Sequence, residues 1–244
     1  KIEVVLLPAM AAELKNTFPS LHSSLETPLL LRQKQVALPC RFSCKCKRIR
    51  GRTMAVKPVY RILCACDDCR DFVRYSFSHA KTPPNLHYDD YVDPYGSIDV
   101  VSFYKNDVVI CEGEDLIETY SMVKGSGYVR IMAGCCSTPL FSSHSLLPTL
   151  EILAPNIDPE DLMRIEKPCH RIMTKFALFP APKTPTPSSG FGLWYWSVIL
   201  QQLFCCCHYY TKRNRDPVPY SKDGPVLVDR ARLKKVKIMF DDAK

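Results

Sequence analysis

Short runs rich in β-branched and aromatic residues recur along the chain, separated by polar punctuation. "VYRILCA" (59–65), "FVRYSF" (72–77), "IDVVSFY" (98–104), "DVVICE" (107–112), "IETYSM" (117–122) and "YVRIMA" (128–133) each read as a strand. "YKND" and "VKGSGY" carry the Asn, Asp and Gly that hairpin turns favour. The stretch 79–96 shows no period and reads as a long loop. The expectation is a mainly β body built from antiparallel pairs.

The pattern changes after Leu150. "NIDPEDLMRIEK" offers Asp158 as an N-cap, Pro159 at the first helical position and acids in the first turn, which predicts a helix. A Pro-rich linker (179–192) follows, and then the apolar run "LWYWSVILQQLFCCCHYY" (193–210). Gln201, Gln202 and His208 interrupt that run, so a helix packed on the domain or lying at a membrane interface competes with a span. Cys205, Cys206 and Cys207 before a basic cluster suit palmitoylation. This organisation divides the chain into an N-terminal extension (1–37), a β domain (38–147) and a helical, Pro-rich, basic C-terminal extension (148–244).

With 244 residues and 46% hydrophobic composition, the chain can bury a sizeable core. The net charge of +8 is unevenly placed. No acid lies between Glu26 and Asp67, where Arg41, Lys45, Lys47, Arg48 and Arg50 surround Cys44 and Cys46. A second basic run spans 212–237. Such runs suit a membrane surface, an acidic partner or nucleic acid, or they are solvated faces. Around Cys44 and Cys46 they are also expected to offset the negative charge of a metal held by thiolates.

Thirteen cysteines raise the question of a disulfide scaffold. The odd number, the one- and two-residue gaps and the chain length argue against it, since cysteines one residue apart rarely meet disulfide geometry. They converge readily on a metal. Cys44-x-Cys46, Cys64-x-Cys66-x-x-Cys69 and the adjacent pair Cys135, Cys136 are therefore the candidate ligands, with zinc favoured by soft thiolates. The same usage points to a reducing, intracellular and cytoplasmic setting, with membrane association as the alternative. Isolated Cys111 and Cys169 read as small buried hydrophobes.

The order C-x-C, then C-x-C-x-x-C-R, then a Cys-containing "C-x-T-P-L" resembles the glutathione-dependent formaldehyde-activating enzymes, a family that includes centromere protein V and has the zinc-containing Mss4-like β fold. The CC-x-TP form, with "DDCRDFVRYSF", looks closest to an uncharacterised subgroup. The resemblance covers roughly residues 38–145. It implies a closed structural zinc on Cys44, Cys46 and Cys136, and an open, catalytic zinc on Cys64, Cys66 and Cys69. The family's remaining structural ligand falls on Ala133 here; Cys135 is the expected substitute, with Cys40 and His144 in reserve. The family's histidine between the trio's first two cysteines is Ala65, and a family glycine falls near Arg74. The implied activity is of carbon–sulfur lyase type, adding a thiol such as glutathione to a small aldehyde or reversing that addition. Arg70, Arg74 and His79 are candidate anion-binding residues, each with a structural ion-pair role as the competing reading. A zinc-stabilised binding module without catalysis, its basic tail contacting acidic partners or a membrane, is the other functional reading.

Overall fold

Strands β1 (Arg41–Ser43), β2 (Arg50–Thr53) and β3 (Tyr60–Cys64) come first, followed by helix α1 (Asp67–Phe77). Then follow β4 (Ile98–Tyr104), β5 (Val108–Glu112), β6 (Ile117–Ser121), β7 (Tyr128–Ala133), β8 (Pro139–His144) and β9 (Thr149–Leu153). Helix α2 (Pro159–Arg164), β10 (His170–Ile172), β11 (Thr186–Pro187) and β12 (Val226–Leu227) complete the order. The computed structural model describes residues 39–54, 57–79, 87–145, 147–190, 192, 196–197, 200 and 225–229. The expected extension 1–37, the cysteines at 205–207 and nearly all of the runs 193–210 and 212–237 lie outside the described residues.

Among the described residues, two sheets form. The small one is antiparallel in the order β1-β2-β5. The large one runs β11-β10-β3-β4-β9-β8-β7-β6-β12. Its interior pairs are antiparallel, but β10 pairs in parallel with both β3 and β11, and β12 in parallel with β6. The protein is mainly β, with a mixed rather than purely antiparallel sheet.

Period-two alternation assigns each face of the large sheet to a different core. Val101 and Phe103 of β4, Ile131 of β7 and Leu150 and Ile152 of β9 pack with Phe42 and Ile49, which come from β1 and its turn. Ile98 and Val100 of β4, Met132 of β7 and Leu153 of β9 face the other way and pack on Phe72, Val73 and Tyr75 of α1. The cysteine clusters sit one on each of these cores.

Three sequence expectations change. "FVRYSF" is not a strand but the C-terminal half of α1. Cys69, Phe72, Val73 and Ser76 are buried along one side of it, the i, i+3, i+4, i+7 spacing of an amphipathic helix. "YKND" is not a hairpin turn, because β4 and β5 belong to different sheets and this single turn carries the chain between them. "VKGSGY" does close a hairpin, between β6 and β7. The sheet also runs past Leu147: β9 is flanked by β4 and β8, and β10 lies against β3. The described part of 148–244 thus adds strands β9 to β12 to the sheet besides the short helix α2, which starts after Asp158 as its spacing suggests.

Candidate metal centres and their pocket

The two turns that carry the first cysteine group face each other. In the β1–β2 hairpin, Lys47 takes positive φ (64°), the Cys44 carbonyl accepts from Lys47 N–H at 3.0 Å, and Ile49 N–H donates to Cys44 Sγ at 3.2 Å. In the β7–β8 hairpin, Ser137 takes positive φ (54°) and its N–H closes on the Ala133 carbonyl at 2.7 Å. That tight turn lets two adjacent side chains point the same way. The hydroxyl of Thr138 links the two turns, accepting from Lys45 N–H at 3.1 Å and meeting Cys136 Sγ at 3.0 Å.

Cys44, Cys46, Cys135 and Cys136 bring their sulfurs within 4.8 Å of one another. The Sγ–Sγ separations are 3.5 Å (Cys44–Cys46), 3.4 Å (Cys46–Cys135), and 3.9 Å for both Cys44–Cys135 and Cys135–Cys136. A tetrahedron with zinc–sulfur bonds of about 2.3 Å has edges of about 3.8 Å. The donor set therefore matches zinc in number, chemistry and spacing, and the thiols are free rather than bridged. Cys135 is the member that stands where the resemblance lacked a ligand. Cys40 is buried outside the group, its N–H bonded to Thr53 Oγ1 at 3.0 Å, and the His144 ring packs on Tyr128 at the opposite end of β8.

Cys64, Cys66 and Cys69 form a second group, also within 4.8 Å, with Sγ–Sγ distances of 3.4 Å (Cys64–Cys66) and 3.7 Å (Cys64–Cys69). Cys64 ends β3, Cys66 is the N-cap of α1, and Cys69 lies in its first turn. Cys66 Sγ accepts from Cys69 N–H at 3.4 Å, so the helix is capped by a sulfur that the helix N-terminus favours as thiolate. Hydrogen bonds from Cys64 and Cys69 bring the Cys66 thiol down to about 4. Hydrogen bonds with Cys66 and Cys69, and then burial, push Cys64 up. In the first group the bond from Cys44 brings Cys136 down to about 4, while burial and Cys46 push Cys135 up to about 12. Holding the raised thiols of either group ionised takes a cation among them.

All three trio cysteines line a cavity of about 190 Å³. Ile62, Val100, Ile172 and Met173 form its apolar walls, and Asp68, Tyr128, Arg130 and Glu151 supply its polar groups. Glu151 and Arg130 also belong to a polar row across the large sheet. Tyr60 pairs with Ser102, Ser102 with Glu151, Glu151 with Ser142, Ser142 with Arg130, and Arg130 with Tyr120. Tyr60 O–H donates to Glu151 Oε1 at 3.0 Å and Arg130 Nη1 to Ser142 Oγ at 2.5 Å, while Arg130 Nη2 pairs with Asp68. Burial, and then the nearby Cys69 sulfur, push the Glu151 carboxyl up to about 7. No motif spacing joins these residues, yet the chain carries a signal for them. Ser102 and Arg130 interrupt a face that carries the apolar residues Ile98, Val100 and Met132.

The other candidate residues are structural. Arg70 is buried behind the trio, donating to the carbonyls of Ala65 (2.9 Å), Gly96 (3.0 Å) and Phe176 (2.7 Å) and pairing with Asp67. Arg74 pairs with Asp71 at 3.1 Å, and His79 Nδ1 lies 2.9 Å from the Tyr75 carbonyl. Of the basic residues near Cys44, Arg41 meets Asp158 and Asp161, Lys45 meets Asp90 and Arg50 meets Glu112, while Lys47 Nζ donates to Ser43 Oγ at 2.9 Å. Cys111 and Cys169, expected inside, are exposed, since each sits at an outward position away from both cores.

No protein-family model matches the chain, and no curated protein matches it. No helix among the described residues is long and apolar enough to cross a membrane. The two cysteine groups, each able to hold a metal ion, are the chemistry that sequence and structure share.

Proposed function

We propose that this is a two-zinc β protein in which Cys44, Cys46, Cys135 and Cys136 hold a structural metal and Cys64, Cys66 and Cys69 hold a reactive one. The trio's work is carbon–sulfur bond making and breaking between a small thiol, such as glutathione, and an aldehyde. One observation carries the reading: all three sulfurs of the trio line a single cavity, whereas the other group brings four sulfurs within 4.8 Å of one another, the number a closed site takes. Three protein ligands and a free position mark a reactive zinc site; four mark a structural one. Cys64, Cys66 and Cys69 would hold a zinc ion there, and the ion would supply the Lewis acidity that favours the deprotonated, nucleophilic form of a thiol.

The chain's own residues do the rest. The trio fixes where the sulfur enters, the apolar walls exclude water, and Glu151 offers a carboxyl that changes protonation near neutrality. Asp67 and Asp68, acids beside the trio that would repel an anionic thiol, are paired with Arg70 and Arg130. Ala65 and Arg74, where the chain departs from the formaldehyde-activating pattern, do not line the cavity.

The test is cobalt substitution. Two metals per chain are expected, and glutathione or 2-mercaptoethanol should add a sulfur-to-cobalt absorption band that Cys66→Ser removes. A full metal complement with spectra indifferent to thiol would instead mark both centres as structural.

A further inference from the structure

The four cysteines of the first group are not equally accessible. Cys44 and Cys136 are buried, at 0% and 2% exposure, whereas Cys46 is exposed and Cys135 is half-buried. The buried pair is also tied inward: Cys44 Sγ accepts from Ile49 N–H, and Cys136 Sγ meets the Thr138 hydroxyl. Cys46 and Cys135 stand 3.4 Å apart, closer than Cys44 to Cys46 or Cys135 to either Cys44 or Cys136. Cys135 also lines an open groove of about 370 Å³, beside Arg48, Asp115 and Glu118.

Chain position narrows the choice of partner. Cys44 and Cys46 are one residue apart and Cys135 and Cys136 are adjacent, spacings that rarely meet disulfide geometry. A bridge within this group therefore runs from one hairpin to the other, across turns that the Lys45 N–H bond to Thr138 already holds together. Of the cross-hairpin pairs, Cys46 with Cys135 is the one in which neither residue is buried. Thiol oxidation follows exposure and thiolate character. In the trio, Cys64 and Cys69 are buried, so it presents no such pair.

We propose that Cys46 and Cys135 form an oxidation site, at which a small peroxide such as hydrogen peroxide joins the two hairpins by a disulfide and frees the metal. The proposal rests on the structural-zinc reading of the four cysteines given above. The Cys46 thiolate attacks a peroxide oxygen: an S–O bond forms, the O–O bond breaks and hydroxide leaves. The Cys135 thiolate then attacks the Cys46 sulfur: the S–S bond forms, the S–O bond breaks and a second hydroxide leaves. Two protons from solvent turn both hydroxides into water. The two sulfurs lose two electrons in all, and the peroxide gains them. Cys44 and Cys136 alone do not complete a zinc site, so the ion departs while the bridge keeps the hairpins joined. A cellular thiol reverses the bridge by exchange.

The test uses the zinc-loaded full chain. A few equivalents of hydrogen peroxide should release one zinc per chain, read with a colorimetric indicator. Peptide mapping by mass spectrometry should find Cys46 joined to Cys135, and dithiothreitol with added zinc should restore the lost ion. Cys69→Ser, which lacks the other metal, should show the same bridge and the same release. A first bridge within Cys64, Cys66 and Cys69, a bridge between Cys44 and Cys136, or oxidation to sulfinic acid without any bridge overturns the inference. Zinc content before peroxide separates the two readings. A Cys46–Cys135 bridge in a chain whose four cysteines held no metal discards the structural zinc and keeps the oxidation site. A loaded group of four that keeps its zinc under peroxide discards the oxidation site and keeps the zinc.

Discussion

Cys135 and Cys136 are neighbours in the chain, yet both sulfurs join one cluster, 3.9 Å apart, because the turn that follows them folds back through Ser137. Cys135 also stands 3.4 Å from Cys46, across from the other hairpin. Replacing Cys135 by Ser should therefore lower metal content from two per chain to one, and Cys136→Ser should do the same. Cys40→Ser should leave two. Metal binding in small zinc peptides is worth on the order of 10–16 kcal/mol, against roughly 5–15 kcal/mol for a whole domain. A strong chelator should accordingly unfold the β unit from Pro39 onward, and unchanged melting of metal-free protein would contradict this.

Loss of the other metal should be milder. Cys64, Cys66 and Cys69 tie β3 to α1, which the apolar packing of Phe72, Val73 and Tyr75 already holds to the sheet. Cys69→Ser is expected to release one metal and lower stability by about 1–3 kcal/mol while far-ultraviolet dichroism stays the same. Complete unfolding of this variant would show that the trio is as structural as the quartet.

Glu151 sets a pH dependence with a definite sign. Its carboxyl is raised from 4.5 to about 7 in the folded protein, so the native state holds a proton that the unfolded chain has released. Its contribution is fully present below pH 4.5 and is lost as pH rises through about 7. Glu151→Gln mimics the protonated form. Urea denaturation should find the two proteins similar at pH 5 and the wild type less stable by about 3 kcal/mol at pH 8. A constant difference across that range would refute the shift.

Gly51 is fixed by its neighbours. A Cβ there would stand 2.1 Å from Phe42 Cζ and 2.5 Å from the Val109 carbonyl oxygen. Phe42 is fully buried, and its ring meets Phe141 edge-on at 5.2 Å. Gly51→Ala should cost about 1–3 kcal/mol, measured by denaturant midpoint, and should weaken metal retention at Cys44 because β1 and β2 flank that turn.

Much of this was legible along the chain, and the failures have physical causes. The strands at 98–104 and 128–133 fall on the observed β4 and β7, because alternation is strong where one face meets each core. The cysteine groups were legible because sulfurs that share an ion must be presented from tight turns, which keeps them close in sequence. α1 was misread because Phe, Val and Tyr favour strands locally, while the burial of Cys69, Phe72, Val73 and Ser76 on one face decided for helix. β9 and β10 were missed because their place depends on pairing with partners some fifty and more than a hundred residues earlier. Arg130 and Glu151 were overlooked because no spacing joins them; only the register of β7, β8 and β9 lines them up.

The parallel strand β10 bears on how a newly made chain matures. Ile172 and Met173, which line the cavity beside the trio, follow every cysteine of both clusters, and the Ile172 carbonyl accepts from Ala65 N–H at 3.1 Å, between Cys64 and Cys66. A nascent polypeptide therefore has all its metal-binding sulfurs outside the ribosome before the cavity is complete. During that interval the trio lacks one wall of its cavity, which the docking of β10 against β3 completes.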